Sequence, residues 1–123
     1  MGNEEAAAEL AECYELGVGV EKNIGKAIEW SEKAARAGSP AGALQLGRLL
    51  LRDEASSRRD EGYMWLVIAQ LRALDFTGEI RSDIRKLIPD TKYPAAKKAA
   101  MITIDSLPKK QRKHFKAYNV SDN

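Results

Sequence analysis

The chain has 123 residues, enough for one domain of ordinary size and too few for a two-domain enzyme. With 44% apolar residues, 31% charged residues and four prolines, it is neither a disordered tail nor a low-complexity polymer. Its net charge of +2 combines −4 over residues 1–62 with +6 over residues 63–123. We therefore expect one folded domain with two electrostatically different surfaces.

Apolar residues recur at the helical period along almost every long segment, and no segment alternates apolar and polar residues as a strand would. The first helix is predicted from about Glu4 to Leu16, where Gly17 stops it. Asn23 is placed as the N-cap of a second helix, which Gly38 ends. The pattern predicts an all-α fold.

The later helices are also marked by capping residues and prolines. Ser39-Pro40 is typical of an N-cap followed by proline at the first helical position, so a third helix begins with almost no loop and ends near Arg52. Four more helices are predicted at about 60–74, 77–87, 93–104 and 106–118. We expect seven helices joined by short loops.

The chain repeats itself at a period of 35 to 36 residues. An offset of 36 pairs Leu10-Ala11 with Leu46-Gly47, and an offset of 35 pairs Trp30 with Trp65. The offset is one residue shorter for the second helix of each pair, so the missing residue lies in the loop inside the pair, where a change of length costs little free energy.

These residues resemble the Sel-one-like repeat, a relative of the tetratricopeptide repeat. The first copy carries the repeat pattern in order at Leu10-Ala11, Tyr14, Gly17-Val18-Gly19-Val20, Lys26-Ala27, Trp30, Ala34-Ala35 and Gly38. The second copy keeps Leu46-Gly47, Trp65 and Ala69, but it has no turn glycines and has Glu61-Gly62 in place of the Lys-Ala pair.

The resemblance covers about residues 7 to 75 and implies an α-solenoid of stacked antiparallel helix pairs with C-terminal capping helices. We expect residues 1–76 to hold two repeats, at about 4–38 and 39–75. Residues 77–123 are then a basic C-terminal helical cap in the same domain. In such a stack, small residues at the helix crossings let the backbones approach, and Trp30 and Trp65 are predicted to fill the space between pairs.

Residues for catalysis or metal binding are scarce. The one histidine, His114, lies in a basic segment and is expected to face solvent. The one cysteine, Cys13, lies beside the buried face of the first helix and is expected to be an inert core thiol. Neither has the spacing of a metal ligand set. We expect no enzymatic activity, no cofactor and no metal site.

One candidate surface comes from the first helix of each pair, which by resemblance lines the concave side of the solenoid, where partners usually bind. Glu5, Glu9 and Glu12 are spaced i, i+4, i+7 and form an acidic ridge on that side of the first pair. The corresponding side of the second pair is not acidic. The candidate partner-binding residues are Glu5, Glu9, Glu12, Gln45, Arg48 and Arg52. The alternative is a charged face that serves only solubility.

A second candidate surface is basic and lies near the C-terminus, at Lys109, Lys110, Arg112, Lys113 and Lys116. It would suit nucleic acid, an acidic protein or an anionic membrane, and the alternative is a solvated terminal helix. Only two aromatic residues, Phe115 and Tyr118, interleave with these cations. The segment therefore has few rings on which the bases of a single strand could stack, and nucleic acid is disfavoured as a partner.

The resemblance implies a non-enzymatic module of bacterial type that binds a partner protein through its concave groove as an adaptor, regulator or inhibitor. One alternative is an immunity partner of a secreted bacterial toxin, and a second is nucleic-acid or anionic-surface binding by the basic C-terminal helices. No run of about 18 apolar residues and no signal sequence is present. We expect a protein without a spanning helix, cytoplasmic as the sequence stands and periplasmic or secreted if a leader has been removed.

Overall fold

The computed structural model describes residues 3–52, 57–71 and 78–106. These residues form six helices and no strand. The helices are α1 (Asn3–Leu16), α2 (Ile24–Arg36), α3 (Pro40–Leu51), α4 (Arg59–Leu71), α5 (Gly78–Lys86) and α6 (Tyr93–Ser106). The prediction of an all-α fold of solenoid type is confirmed.

The first six predicted helices are present, with ends within about two residues of the prediction where both ends are described. The predicted last turn of the fourth helix, at 72–74, lies outside the described residues. So does most of the predicted seventh helix, since the described residues end at 106. Each described helix is too short or too polar to cross a bilayer.

Side chains close the starts of α2 and α3 as the sequence predicts. The Lys26 amide donates to Asn23 Oδ1 at 3.0 Å, and the Gly42 amide donates to Ser39 Oγ at 2.9 Å. Pro40 occupies the first position of α3, where the missing N–H costs nothing. These caps fix where each helix begins.

Glycines end the first two helices in the left-handed region. Gly17 has a φ of +74° and Gly38 a φ of +103°, values that L side chains rarely adopt. The Gly17 amide donates to the Cys13 carbonyl at 2.7 Å, which closes α1. Because each reversal takes only a few residues, consecutive helices pack side by side.

The first four helices stack in chain order: α2 packs on α1, α3 on α2, and α4 on α3. Helices α1 and α3 also contact each other, so the first members of the two pairs lie on the same side. Beyond them, α4 packs on both α5 and α6. This arrangement places the two candidate helices, α1 and α3, next to each other.

Small residues lie where α3 crosses α4. A Cβ atom at Gly47 would lie 2.7 Å from Leu66 Cγ and 3.0 Å from the Gly62 carbonyl oxygen. At the matching positions of the first pair, Ala11 and Ala27 are fully buried. Gly62 therefore takes the place of Ala27 as a crossing residue, and the change from Lys-Ala to Glu-Gly keeps the close approach.

The two tryptophans differ in environment. Trp65 is fully buried in the main core, as predicted. Trp30 is only partly buried and packs on Ala7, Ala8 and Ala34 of its own pair, so the prediction that it fills the space between pairs is wrong. The reason is its position in the stack: among the described helices, none packs on the far side of the first pair.

Candidate functional site

A groove runs between α1 and α3, with a cavity volume of about 390 Å³. Its lining comes from two stretches of sequence that lie about 36 residues apart. The lining residues are Glu5, Ala8, Glu9, Glu12, Ser39, Ala41, Leu44, Gln45 and Arg48. Five of the six residues predicted as a partner-binding set therefore line one cavity, and Arg52 does not.

One wall of the groove is acidic. Glu5, Glu9 and Glu12 of α1 are all exposed and line the cavity together. At 1.5 Å per residue they span about 10 Å along the helix axis. Within the described part of the chain, no cation pairs with any of the three carboxylates. We call these three residues the acidic wall.

The opposite wall comes from α3 and is mixed in character. Ala41 and Leu44 line it together with Gln45 and Arg48. Arg48 stands at the same register on α3 as Glu12 on α1 and is exposed, with no ion pair to the described residues. The groove thus has an acidic side from α1 and a mixed side from α3 that carries one cation.

An ion pair lies beyond one end of the groove. Arg52 Nη1 lies 3.4 Å from Glu15 Oε2, and the Arg52 side chain is half exposed. The pair joins α1 to α3 and neutralises both charges locally. Glu15 was not among the sequence-predicted residues, because the i, i+4, i+7 spacing selected a different stripe of α1.

Gln45 ties the two walls together. Its Nε2 donates to the Ala8 carbonyl oxygen at 3.0 Å, across 37 residues of sequence. Its Oε1 is buried and accepts no hydrogen bond from any described group. A buried acceptor without a donor costs about 1–3 kcal/mol relative to a satisfied one. Gln45 is therefore both the link across the groove and an unsatisfied acceptor within its wall.

The other sequence candidates do not join this groove. Cys13 is a free thiol that is partly buried rather than wholly enclosed in the core. No cluster of potential metal ligands occurs in the described ranges. The remaining candidates lie outside the described residues, namely His114 and the basic set Lys109, Lys110, Arg112, Lys113 and Lys116.

A second polar cluster, not predicted from the sequence, joins α2 to the start of α4. Arg58 donates to both carboxylate oxygens of Glu61, each at 2.9 Å, and to Glu32 Oε1 at 3.2 Å. Glu32 also pairs with Arg36 at 3.1 Å. The cluster lies away from the groove and links the two pairs on the side of their second helices.

The hydrogen bonds in this cluster change how its members titrate. The paired hydrogen bonds from Arg58 hold the pKa of Glu61 below its ordinary value of 4.5, aided by a 3.3 Å bond from Trp65 Nε1. The same bonds to Glu61 raise the pKa of Arg58. Both groups are therefore charged at neutral pH, and their hydrogen bonds hold α2 and the start of α4 together.

Comparison with known families adds to this geometry. The family model of the Sel1 repeat matches residues 4–39. No curated protein and no solved structure matches the chain. Sel1 repeats generally mediate protein–protein interactions and typically have no catalytic role. The match covers the first of the two predicted repeats, so the second repeat and the C-terminal cap stay predictions.

The matched residues coincide with one structural unit. They span α1, the turn closed by Gly17, α2, and the end at Gly38 with its following cap residue Ser39. The residues quoted for the first copy of the repeat lie within this unit, with Ala11 and Ala27 at the buried crossing. Residues 4–39 are thus a folded Sel1 repeat, and this part of the chain matches the Sel1 family.

Proposed function

We propose that this chain is a non-enzymatic interaction module that binds a partner protein in the groove between α1 and α3. The observation that carries the proposal is that Glu5, Glu9, Glu12, Gln45 and Arg48 line one cavity although they come from two helix pairs. The Sel1 match supports it, because repeats of this family generally serve protein–protein interactions.

The charge of the groove supports the same reading. Three exposed carboxylates on one wall form no ion pair with the described residues and outnumber the one cation of the groove, Arg48, so the groove has a negative field that attracts and orients a cationic partner. Ion pairs already formed within a protein, such as Glu15 with Arg52, leave little field for a partner. The unpaired wall is therefore the part of the surface on which recognition is expected.

The test is quantitative capture of partner proteins from a lysate of the source cells by the full chain. We compare the wild type with the triple variant Glu5→Lys, Glu9→Lys, Glu12→Lys. The variant is expected to lose most of the proteins that the wild type retains, because each acidic contact becomes repulsive.

The control is a second triple variant with the same change in charge, Glu21→Lys, Glu29→Lys and Asp105→Lys, at exposed positions outside the groove. It is expected to capture the same partners as the wild type. Equal losses in the two variants would refute the groove as the binding site, since net charge alone would explain both results.

Adaptor, regulator and inhibitor roles, including immunity against a secreted bacterial toxin, are forms of this one function. They differ in what happens to the captured partner. An inhibitor or immunity protein abolishes an activity of its partner at a one-to-one ratio, and an adaptor leaves it intact. Assay of the captured partner with and without the chain therefore assigns the role.

A further inference from the structure

The first helix pair has one side that no described helix covers. It is the side of α1 and α2 that faces away from the second pair. There α1 presents a stripe of residues at helical spacing, and α2 presents a second stripe beside it. We call this surface the outer face. It consists of Ala6, Leu10, Cys13 and Tyr14 of α1 and Lys26, Trp30 and Lys33 of α2.

The α1 stripe has a counterpart in the second pair that is covered by a helix. An offset of 36 residues places it on Gly42, Leu46, Leu49 and Leu50 of α3, and all four are buried. A Cβ atom at Gly42 would lie 2.6 Å from Ala34 Cβ, so this side of α3 packs against α2. The members of the α1 stripe are exposed or only partly buried. The α1 stripe therefore corresponds to a helix-binding surface that lacks its helix.

The α2 stripe gives the same comparison. Trp30 and Trp65 hold the same place in the repeat, but Trp65 is fully buried and Trp30 is partly exposed. Arg36 of α2 places its Cζ 5.3 Å from the centre of the Trp65 ring, so the helix that covers α3 also reaches this tryptophan. A helix that lies on the outer face as α2 lies on α3 would therefore reach Trp30 as well.

Such a helix would bury two ammonium groups. Lys33 Nζ lies 4.3 Å from the centre of the Trp30 ring, and Lys26 Nζ lies 5.9 Å from the centre of the Tyr14 ring. In the described part of the chain neither lysine forms an ion pair, not even with Glu29, which lies between them on α2. An ammonium group that loses its water needs an anionic partner. The covering helix must therefore supply carboxylates.

The second pair provides a precedent for such a carboxylate. There the covering helix α2 contributes Glu32, whose Oε1 accepts from Arg58 at 3.2 Å. On the outer face the two lysines are seven residues apart, which is about 10 Å along α2. Two carboxylates seven residues apart on a helix that lies along α2 have the same spacing. Because Ala6 carries the Cβ atom that Gly42 lacks, the covering helix needs a small residue at that contact.

We infer that the outer face binds an acidic amphipathic helix of a partner protein, at a site separate from the groove between α1 and α3. Small and apolar side chains of this helix pack on Leu10 and Trp30. Two of its carboxylates, seven residues apart, meet Lys26 and Lys33. The helix takes the place relative to the first pair that α2 takes relative to the second.

The probe is a labelled, stapled helical peptide of about 18 residues, with alanine and leucine on one side and two glutamates seven residues apart at the border of that side. Its control has the same composition with the glutamates on the opposite side, so net charge is equal. Fluorescence anisotropy with the full chain at about 0.1 M salt is expected to show about tenfold tighter binding of the probe. Equal affinities would overturn the inference.

Charge reversal on the protein tests whether the two lysines receive the carboxylates. The double variant Lys26→Glu, Lys33→Glu is expected to bind the probe about tenfold more weakly than the wild type. The control, Lys86→Glu with Lys98→Glu, makes the same change in charge at exposed positions of α5 and α6 and should bind like the wild type. Thermal unfolding checks that both variants are folded. Equal losses in the two variants would refute the site.

A change on α1 tests whether the helix is packed on the face. Ala6→Lys adds a cation at an exposed position, so a purely electrostatic contact would become stronger. A helix packed on this position loses room, and about fivefold weaker binding of the probe is expected. Unchanged or tighter binding would refute the packed helix.

Two further outcomes concern the place and the nature of the occupant. The acidic-wall variant should bind the probe at least as tightly as the wild type, and the Lys26→Glu, Lys33→Glu variant should keep the partners captured in the lysate test. Loss of probe binding in the acidic-wall variant would place the helix in the groove and overturn the inference. Self-association in sedimentation velocity that the lysine variant abolishes would make a second copy the occupant, which also overturns it.

Discussion

The first helix pair, α1 with α2, and the second, α3 with α4, share their packing and differ in their polar side chains. Ala11 and Ala27 of the first pair are matched by Gly47 and Gly62 of the second, and all four are buried. The acidic wall of the first pair is matched by Ala41, Gln45 and Arg48. The small buried residues that the pairs share let the helices stack, and the side chains that differ form a groove with two unlike walls.

The same contrast appears where the second helix of each pair begins. The Asn23 carbonyl accepts from the Ala27 amide at 3.0 Å, and the Arg58 carbonyl accepts from the Gly62 amide at 2.9 Å, so the backbone is alike. The side chains act differently: Asn23 caps its own helix, whereas Arg58 reaches Glu61 and also Glu32 of the first pair. One position thus serves a local purpose in one copy and a long-range one in the other.

The largest expected difference between the pairs concerns the tryptophans. Trp65→Ala is expected to lower the free energy of unfolding by about 3–5 kcal/mol, because the ring is fully buried in the main core. Trp30→Ala should cost about 1–2 kcal/mol, because the ring is only partly buried. Urea unfolding of both variants measures the difference, and equal losses would show that the two sites are equivalent after all.

The crossing glycine gives the next effect. Gly47→Ala is expected to cost about 1–3 kcal/mol, since the new methyl group would meet Leu66 at 2.7 Å and the Gly62 carbonyl at 3.0 Å. The control is Gly25→Ala on α2, whose methyl group meets only Asn23 Oδ1 at 3.3 Å and should leave stability unchanged or raise it by up to about 1 kcal/mol. Stabilisation by Gly47→Ala, as helix propensity alone predicts, would contradict the close crossing.

A smaller effect tests the link between the pairs. Arg58→Met is expected to cost about 1 kcal/mol at pH 7, since the paired carboxylates are partly exposed and screened. Because the pKa of Glu61 is lowered in the fold, its contribution is fully present above its ordinary pKa of 4.5 and is lost as the pH falls through the lower folded value.

The wild type and Arg58→Met should therefore converge in stability at low pH. Unfolding curves between about pH 7 and pH 3 measure this convergence. A gap between the two proteins that stays constant across this range would mean that Arg58 acts through packing and not through Glu61.

An effect of similar size concerns the side-chain cap of α2, where the second pair has Arg58 at the position of Asn23. Asn23→Ala is expected to cost about 1 kcal/mol, because the Lys26 amide loses its acceptor. Asn23→Ser keeps an acceptor at that position and should be close to neutral. Thermal unfolding distinguishes the two, and equal melting temperatures would mean that solvent replaces the cap without loss.

Local rules predicted the helices and their ends. Asn23, Ser39 and Pro40 act through groups three residues away or fewer, and the left-handed turns at Gly17 and Gly38 depend on the missing side chain alone. Helical spacing predicted the acidic wall for the same reason. Stacking of the two repeats then placed α1 beside α3. The spacing of residues within each helix and the stacking of the repeats together predicted the residues that line the groove.

The parts that were missed depend on distant residues. The bond from Gln45 to the Ala8 carbonyl spans 37 positions, and the bond from Arg58 to Glu32 spans 26. A single sequence contains no signal for either, because many side chains would satisfy the local pattern. The partial exposure of Trp30 also depends on what packs beside its pair, which the repeat pattern of Trp30 and Trp65 does not encode.

The link between the two pairs has a consequence for binding kinetics. Only three residues separate α2 from α3, and the Gly38 and Ser39 amides both donate back to α2, to Ala35 and Ala34 at 3.0 Å. Ser39 is also buried and caps α3, so the link has little freedom to rotate. Under the proposed function, a partner meets walls already at their final spacing, and association should be limited by encounter and steering rather than by opening of the groove.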